Sequence, residues 1–327
     1  MSFSVYFHRD FDGICSAAVF TAYVRAMGIA VTPTEYVPVD YDLRKSWLER
    51  RLNTPCAIVD FLYHPDADWW FDHHETTFIR RDSELSFHSD AQHVWCTSYK
   101  SCPRLILDSV SDVHLRHRLD ERFCEYLDWC DLIDSASYES PVQAVEWREP
   151  ALQINATLSQ NATPEYLEYL IESFGQLSIS QVANLSEVRI RYDKAQAWQS
   201  VAISYISRVA NLKNDVAFID LAGHPDLFHR YAAYYLWPEL KFQVALYKVG
   251  ERYKITVGSN PWRRFEGPDL SAICERYLGG GHPTVAGIMV SSRKQALRIG
   301  TEICRILRKE IPFYQQLALG RQIRSNG

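Results

Sequence analysis

The sequence has no Cys-x-x-Cys pair, no internal repeat, no Gly/Ser-rich stretch, and no apolar run near the ~20 residues that a membrane-spanning helix needs. It also lacks a basic excess: 35 Lys and Arg face 40 Asp and Glu, for a formal charge of −5. Each absence excludes something. The eight cysteines show no zinc-site spacing, and Met1–His8 has neither a basic nor a long apolar region, so no secretory signal is expected. They read as reduced, mostly buried thiols. The protein is expected to be cytoplasmic with no membrane partner. The mild acidity gives no global argument for gripping long nucleic acids, whose binders usually carry a basic patch. What is present is globular: 47% apolar and 23% charged residues. The 327 residues exceed the roughly 250–300 at which single cores stop growing, so two domains are expected.

Hydrophobic patterning predicts an α/β chain. Phe3–Phe7, Glu35–Val39, Cys56–Phe61 and Trp69–Phe71 read as strands, with helices at Gly13–Met27 and Tyr41–Leu52. Short apolar strands alternating with helices predict a parallel sheet covered on both faces. Residues from about 104 to 135 and 163 to 212 look helical, and Ser178–Tyr205 contains no Gly or Pro. Strands at Val216–Leu221, Lys241–Val249, Arg252–Val257 and Val285–Val290, with helices at Asp269–Leu278 and Arg293–Lys309, predict a second, smaller α/β domain. The expected division is 1–205, a linker at 206–215, and 216–327.

Acidic residues and histidines cluster where the predicted strands end, the edge at which open α/β sheets bind ligands. His8-Arg9-Asp10-Phe11-Asp12-Gly13 follows the first strand. Asp12 alone would read as a helix cap, but a cap leaves His8 and Asp10 unexplained. Asp60 closes the third strand, and Asp72-His73-His74 closes the fourth. From Asp60 to Glu75 there are five acidic residues and no Lys or Arg. Carboxylates with imidazole and no basic partner suit a divalent cation such as manganese, iron, cobalt or zinc. Asp131 and Asp134, near the end of a predicted helix, are a fourth candidate position. In the C-terminal part, Gly279-Gly280-Gly281-His282-Pro283 reads as a loop that lets backbone N–H groups approach an anion. Upstream, Trp262 could stack on a base or simply pack in a core, and Arg263 and Arg264 could chelate phosphate.

Together these motifs resemble the DHH phosphoesterase superfamily. Asp72-His73-His74 is the namesake triplet. His8–Gly13 resembles the first motif and Val59-Asp60 the second. Ile133-Asp134-Ser135-Ala136-Ser137-Tyr138 is similar to the fourth, with Asp131 as the alternative ligand. Gly279–Gly287 is similar to the glycine signature of the DHH-associated C-terminal domain. The matches run from residue 8 to residue 287; each is weak alone, and their order carries the resemblance.

The resemblance implies a parallel-sheet DHH domain, a helical connector and a C-terminal α/β domain, with the active site in the cleft between the two domains. It implies two divalent ions, usually Mn(2+), and no organic cofactor. His8 and Asp10 would hold one ion, Asp12, His73 and Asp134 the other, and Asp60 would bridge. Asp60, Asp72 and His74 are the expected catalytic residues, with His74 on the scissile phosphate. Gly279, Gly280, Gly281, His282, Arg263 and Arg264 would hold the rest of the substrate. The expected function is manganese-dependent hydrolysis of phosphodiester or phosphomonoester bonds in short oligonucleotides or small nucleotides by a two-metal mechanism. The alternatives are a single-strand-specific exonuclease on longer DNA or RNA, and a nucleotide-binding sensor with weak turnover. Assembly as a homodimer is left open.

Overall fold

A computed structural model of the chain describes residues 3–28, 33–158 and 162–325, the side chains of residues 33, 34 and 310–325 excepted. The N-terminal part carries the four expected strands and a fifth: β1 (Phe3–His8), α1 (Phe11–Ala26), β2 (Pro33–Val39), β3 (Cys56–Val59), β4 (Trp69–Asp72), α2 (Arg81–Ser86) and β5 (His93–Trp95), with no α-helix between β2 and β4. The five strands form one all-parallel sheet in the order β2-β1-β3-β4-β5. Seven helices follow: α3 (Cys102–Asp108), α4 (Val113–Asp134), α5 (Pro141–Glu146), α6 (Pro150–Ala156), α7 (Pro164–Phe174), α8 (Ile179–Ala183) and α9 (Ser186–Val209).

Successive strand residues serve opposite faces. Phe3, Val5, Phe7, Ala57, Val59 and Phe71 join a core filled from α1, α3, α4 and α7. Tyr6, Cys56, Ile58 and Trp70 join a second core with Trp47 and Phe61. With both faces covered, β3 is apolar at every position instead of alternating.

The C-terminal part adds β6 (Asn211–Lys213), β7 (Val216–Leu221), α10 (Ala232–Leu236), β8 (Phe242–Val249), β9 (Arg252–Ser259), α11 (Leu270–Glu275), β10 (Gly280–His282), β11 (Val285–Val290) and α12 (Arg293–Ser325). Its sheet has the order β10-β11-β9-β8-β7-β6, antiparallel except for the β7–β8 pair. The cores of its two faces are built on α11 and α12 and on α10 with the end of α9. The chain divides into two compact units, residues 1–138 with 147–195 and residues 139–146 with 196–327. The short excursion 139–146 packs in the second unit, where Glu146 Oε1 accepts from the Tyr235 hydroxyl at 3.1 Å. No helix among the described residues is long and apolar enough to cross a membrane.

Three local expectations change. Residues 41–52 are not one helix but two 3-10 turns, Tyr41–Lys45 and Trp47–Glu49, interrupted at Ser46 with φ −110° and ψ 1°. Trp47 is the buried anchor there, its indole N–H donating to the Leu62 carbonyl at 3.0 Å. The helix expected over 178–205 breaks between α8 and α9, where the Asn184 side chain turns back to donate to the Ser180 carbonyl at 2.7 Å.

The glycine run is not a loop either, because Gly280–His282 pairs antiparallel with β11. A Cβ at Gly279 would stand 2.4 Å from the Gly287 carbonyl oxygen, and one at Gly281 would stand 2.6 Å from that of Val285. Close backbone packing therefore accounts for two of the three glycines, and only Gly280 faces open space.

The turn before that strand holds an unexpected residue. Leu278 follows α11 at φ 60°, a left-handed position that helix ends usually give to glycine, and its side chain is 98% exposed. Leu278→Gly should remove strain of about 1–2 kcal/mol, less roughly 0.5–1 kcal/mol of added chain entropy, for a net gain of up to about 1 kcal/mol. Urea denaturation should show a higher midpoint; a lower one would mean that the exposed leucine makes a contact essential to folding.

Candidate metal centre

The register of the parallel sheet assembles the site. Phe7 of β1 pairs with Val59 of β3, and Val59 pairs with Phe71 of β4. The next residue on each strand path, His8, Asp60 and Asp72, therefore falls at the same C-terminal edge. Asp10 caps α1, its Oδ1 accepting from the Gly13 N–H at 2.9 Å, and Asp12 lies in the first turn. Gly13 is required here, since a Cβ would stand 2.1 Å from the His8 carbonyl oxygen. Asp134 arrives from the last residue of α4.

Three groups of potential ligand atoms result, each within 4.8 Å of one another: His8, Asp10 and Asp60; Asp12, His73 and Asp134; and Asp60, Asp72, His73 and His74. His8 Nδ1 lies 2.8 Å from Asp10 and 3.7 Å from Asp60. His73 Nε2 lies 3.3 Å from Asp12, 3.5 Å from Asp60 and 3.6 Å from Asp134. Asp60 is common to the first and third groups, 0% exposed, and held at φ 56°. Backbone strain of this kind costs about 1–3 kcal/mol and tends to persist at functional sites.

Both Asp60 oxygens and His73 Nε2 are buried without a hydrogen-bond partner. Such atoms are costly unless something else meets them. Hard oxygens with imidazole nitrogens fit a divalent cation, so these residues suit the group that the acidic pattern implies.

The surrounding contacts sort the residues. Asp72 is saturated: Oδ1 accepts from the His73 N–H at 2.8 Å and lies 2.7 Å from His74 Nδ1, while Oδ2 accepts from the Thr77 hydroxyl. It is placed to orient its neighbours. His73 Nδ1 lies 3.1 Å from the Tyr99 carbonyl, which leaves Nε2 directed at three carboxylates. Asp12 accepts from the Cys102 N–H at 3.0 and 3.2 Å. Asp131 is engaged elsewhere, with Arg104 Nε at 2.6 Å, whereas Asp134 faces His73.

Like charges crowded together resist ionisation. Burial and then Asp60 push Asp12 up to about 7, and burial and then Asp12 push Asp134 to about 7. Burial also raises Asp60, with Asp10 adding to it. For the imidazoles burial acts downward, but the carboxylates outweigh it: Asp10 lifts His8 to about 11, Asp12 and Asp60 lift His73 to about 12, and Asp72 and Asp60 lift His74 to about 9.

The candidate substrate residues lie in the second unit. The Ser259 N–H donates to the Thr284 carbonyl at 2.9 Å, which ties the 259–264 segment to the turn after β10. Arg264 and His282 are exposed. The Arg263 guanidinium donates to the Glu239 carbonyl. Trp262 is half-buried, 5.3 Å from the Tyr231 ring and 6.4 Å from that of Tyr234, so at least part of its surface packs in a core.

Sequence reasoning missed Asp40 and Tyr41, which follow β2 at the same sheet edge. Tyr41 packs at 5.0 Å on the His8 ring and 6.0 Å on that of His74. The strand-end rule, applied to β2, would have marked them.

No protein-family model and no curated protein matches this sequence. Solved structures do. The chain is similar to PggH, a pGpG-specific phosphodiesterase from Vibrio cholerae, with a TM-score of 0.74 at 15% identity over 95% of this chain and 100% of that one. It is similar to the DHH domain of a member of the s1p family of ribosomal proteins, with a TM-score of 0.58 at 14% identity over 94% and 87% of the two chains. It is also similar to exonuclease RecJ bound to manganese, with a TM-score of 0.51 at 15% identity over 92% and 88%. The protein shares the fold of these DHH-domain structures.

Divalent cation binding needs ionised carboxylates and unprotonated ligand nitrogens, so it displaces protons. Because Asp12 and Asp134 titrate at about 7, their contribution to the stability of the metal-free chain is present below about pH 4 and lost as pH rises through 7. A cation opposes that loss. In thermal melts, added MnCl2 should therefore raise Tm more at pH 8 than at pH 6; an equal rise at both would show that these carboxylates do not meet the ion.

Proposed function

We propose that the protein is a manganese-dependent phosphoesterase that hydrolyses dinucleotides and other short oligonucleotides or small nucleotides. The observation that carries this reading is Asp60, a fully buried carboxylate whose oxygens lack donors between two His/Asp groups. Two ions held there, one by His8 and Asp10 and one by Asp12, His73 and Asp134 with Asp60 shared, would supply an acidified water and a clamp on the phosphoryl oxygens for in-line displacement.

The protein's own groups do the rest. His74 keeps its Nδ1 proton on Asp72 and directs the Nε2 proton to a phosphate oxygen. The Asp72 carboxylate at Nδ1, with Asp60 nearby, lifts its pKa to about 9 in the metal-free protein, which favours that protonated form. In the displacement, the water oxygen forms a bond to phosphorus, the ester P–O bond breaks, and the departing oxygen takes up a proton. Gly279, Gly280, Gly281, His282, Arg263 and Arg264 are assigned to the rest of the substrate, chiefly through the exposed Arg264 guanidinium and His282 ring, since the glycine run is itself a paired strand.

The similarity to PggH runs over that whole chain and supports a dinucleotide as the substrate to test first. Purified protein with MnCl2 should be offered pGpG, a cyclic dinucleotide, adenosine bisphosphate, single-stranded DNA and polyphosphate. Rapid hydrolysis of pGpG is expected for the unmodified protein, and Asp60→Asn should lose more than the roughly 10–100-fold caused by removing a group behind the ligands. Full activity in that variant sinks the mechanism. Tight pGpG binding without turnover in the unmodified protein would favour a sensor.

A further inference from the structure

Beside the carboxylate cluster lies an ion-pair network that is not part of it. Arg104, on α3, donates Nε to Asp131 Oδ2 at 2.6 Å and Nη2 to Asp128 Oδ1 at 2.8 Å, both on α4. The buried Ser101 hydroxyl donates to Asp131 Oδ1 at 2.5 Å. Both Asp131 oxygens are thus committed, one to a cation and one to a hydroxyl. The network ties the start of α3 to the end of α4.

What those two ends carry gives the network its significance. The segment leading into α3 offers the Tyr99 carbonyl to His73 Nδ1 and the Cys102 N–H to Asp12. The end of α4 carries Asp134, about one turn beyond Asp131. So each member of the Asp12–His73–Asp134 group is positioned by a segment that the Arg104–Asp131–Ser101 contacts join. His8 and Asp10 depend on the β1–α1 turn instead.

We propose that Arg104 and Asp131 are positioning residues that set the spacing of the Asp12–His73–Asp134 group, and hence the affinity of one of the two cation sites, without touching the ion. This rests on the metal reading above. Asp131 acts as a strut between two helices and not as a ligand. The planar Arg104 fork fixes direction as well as charge, which a lysine cannot do.

The test is Mn(2+) binding by titration calorimetry, with metal content by elemental analysis, on the unmodified protein and on Arg104→Met, Arg104→Lys and Asp131→Asn. The unmodified protein should bind two ions. Arg104→Met and Asp131→Asn should each weaken one site by about 10–100-fold and leave the other unchanged, the range seen for groups behind metal ligands. Arg104→Lys should fall between. If Arg104→Met fails to fold, the nearly isosteric Asp131→Asn carries the test.

Four results would overturn the proposal. Unchanged binding at both sites in Arg104→Met and Asp131→Asn removes the positioning role. Equal weakening of both sites makes the network a general support. Tighter binding in Arg104→Met means that freeing Asp131 frees a ligand. An unmodified protein that binds no Mn(2+) overturns the metal reading itself, and this proposal with it; two ions bound by the unmodified protein, with any of the first three results, overturn the proposal alone.

Discussion

Asp60 is fully buried, has no hydrogen-bond donor on either oxygen, and lies within 3.7 Å of three imidazoles. Among the described residues, neither it nor Asp10, Asp12, Asp72 or Asp134 forms an ion pair with Lys or Arg. Desolvating that much negative charge opposes folding unless protons or cations compensate it. In the protein alone the compensation is protonic, with His8 and His73 held in their charged forms by the carboxylates around them. The rest of the first unit is arranged so that this concentration of charge can exist. The parallel sheet brings its strand ends together, Gly13 lets the chain turn against His8, and Asp60 accepts a left-handed backbone to aim its side chain. The opening charge of −5 is thus partly local, and a pair of divalent cations would nearly cancel it.

Much of this was legible because the chemistry falls at punctuation points. An apolar run that ends in Asp or His, as at Tyr6-Phe7-His8, Ile58-Val59-Asp60 and Trp70-Phe71-Asp72, marks both a buried strand and the ligand-bearing edge of its sheet. The preference for Asp134 over Asp131 rests, in the sequence, only on the resemblance of the residues after Asp134, since either suits a helix end. In the structure the choice turns on Arg104, 27 residues from Asp131, and a guanidinium on a helix gives no sign of its partner. The two backbone contacts that orient Asp12 and His73 come from Cys102 and Tyr99, where the main chain acts and the side chain carries no signal. The division of the chain was equally silent. Residues 139–146 join the second unit through packing and hydrogen bonds, with no change in composition to mark the crossing.

The glycine run shows a different limit. Three consecutive glycines read as an anion cradle, yet two of them are explained by the close approach of β10 to β11. Packing and ligand binding ask for the same residue because both need a missing Cβ. The run therefore does not by itself identify a substrate loop. What keeps it a candidate is the company it keeps. The turn after β10 is bonded to the segment bearing Arg263 and Arg264, and Gly280 alone meets nothing.

His73 and His74 are adjacent and of one type, and their Nδ1 partners set them apart. His73 gives that nitrogen to a carbonyl, a neutral acceptor, and its Nε2 faces carboxylates that compete for any positive charge. A cation bound among those carboxylates would compete with the Nε2 proton for the same lone pair, so the carboxylates that lift this pKa to about 12 in the metal-free protein would favour the ion as well. His74 gives Nδ1 to Asp72, whose oxygens also accept from the Thr77 hydroxyl and two backbone N–H groups. A carboxylate at that distance continues to favour imidazolium after a cation arrives nearby. The same triplet thus contains one imidazole suited to donating a lone pair and one suited to retaining a proton, and the difference arises behind the rings and not in them. Under the proposed function this is the division of labour the reaction needs, a ligand beside a phosphate contact. It follows from which group stands at each Nδ1: Asp72, inside the triplet, for His74, and the Tyr99 carbonyl, outside it, for His73.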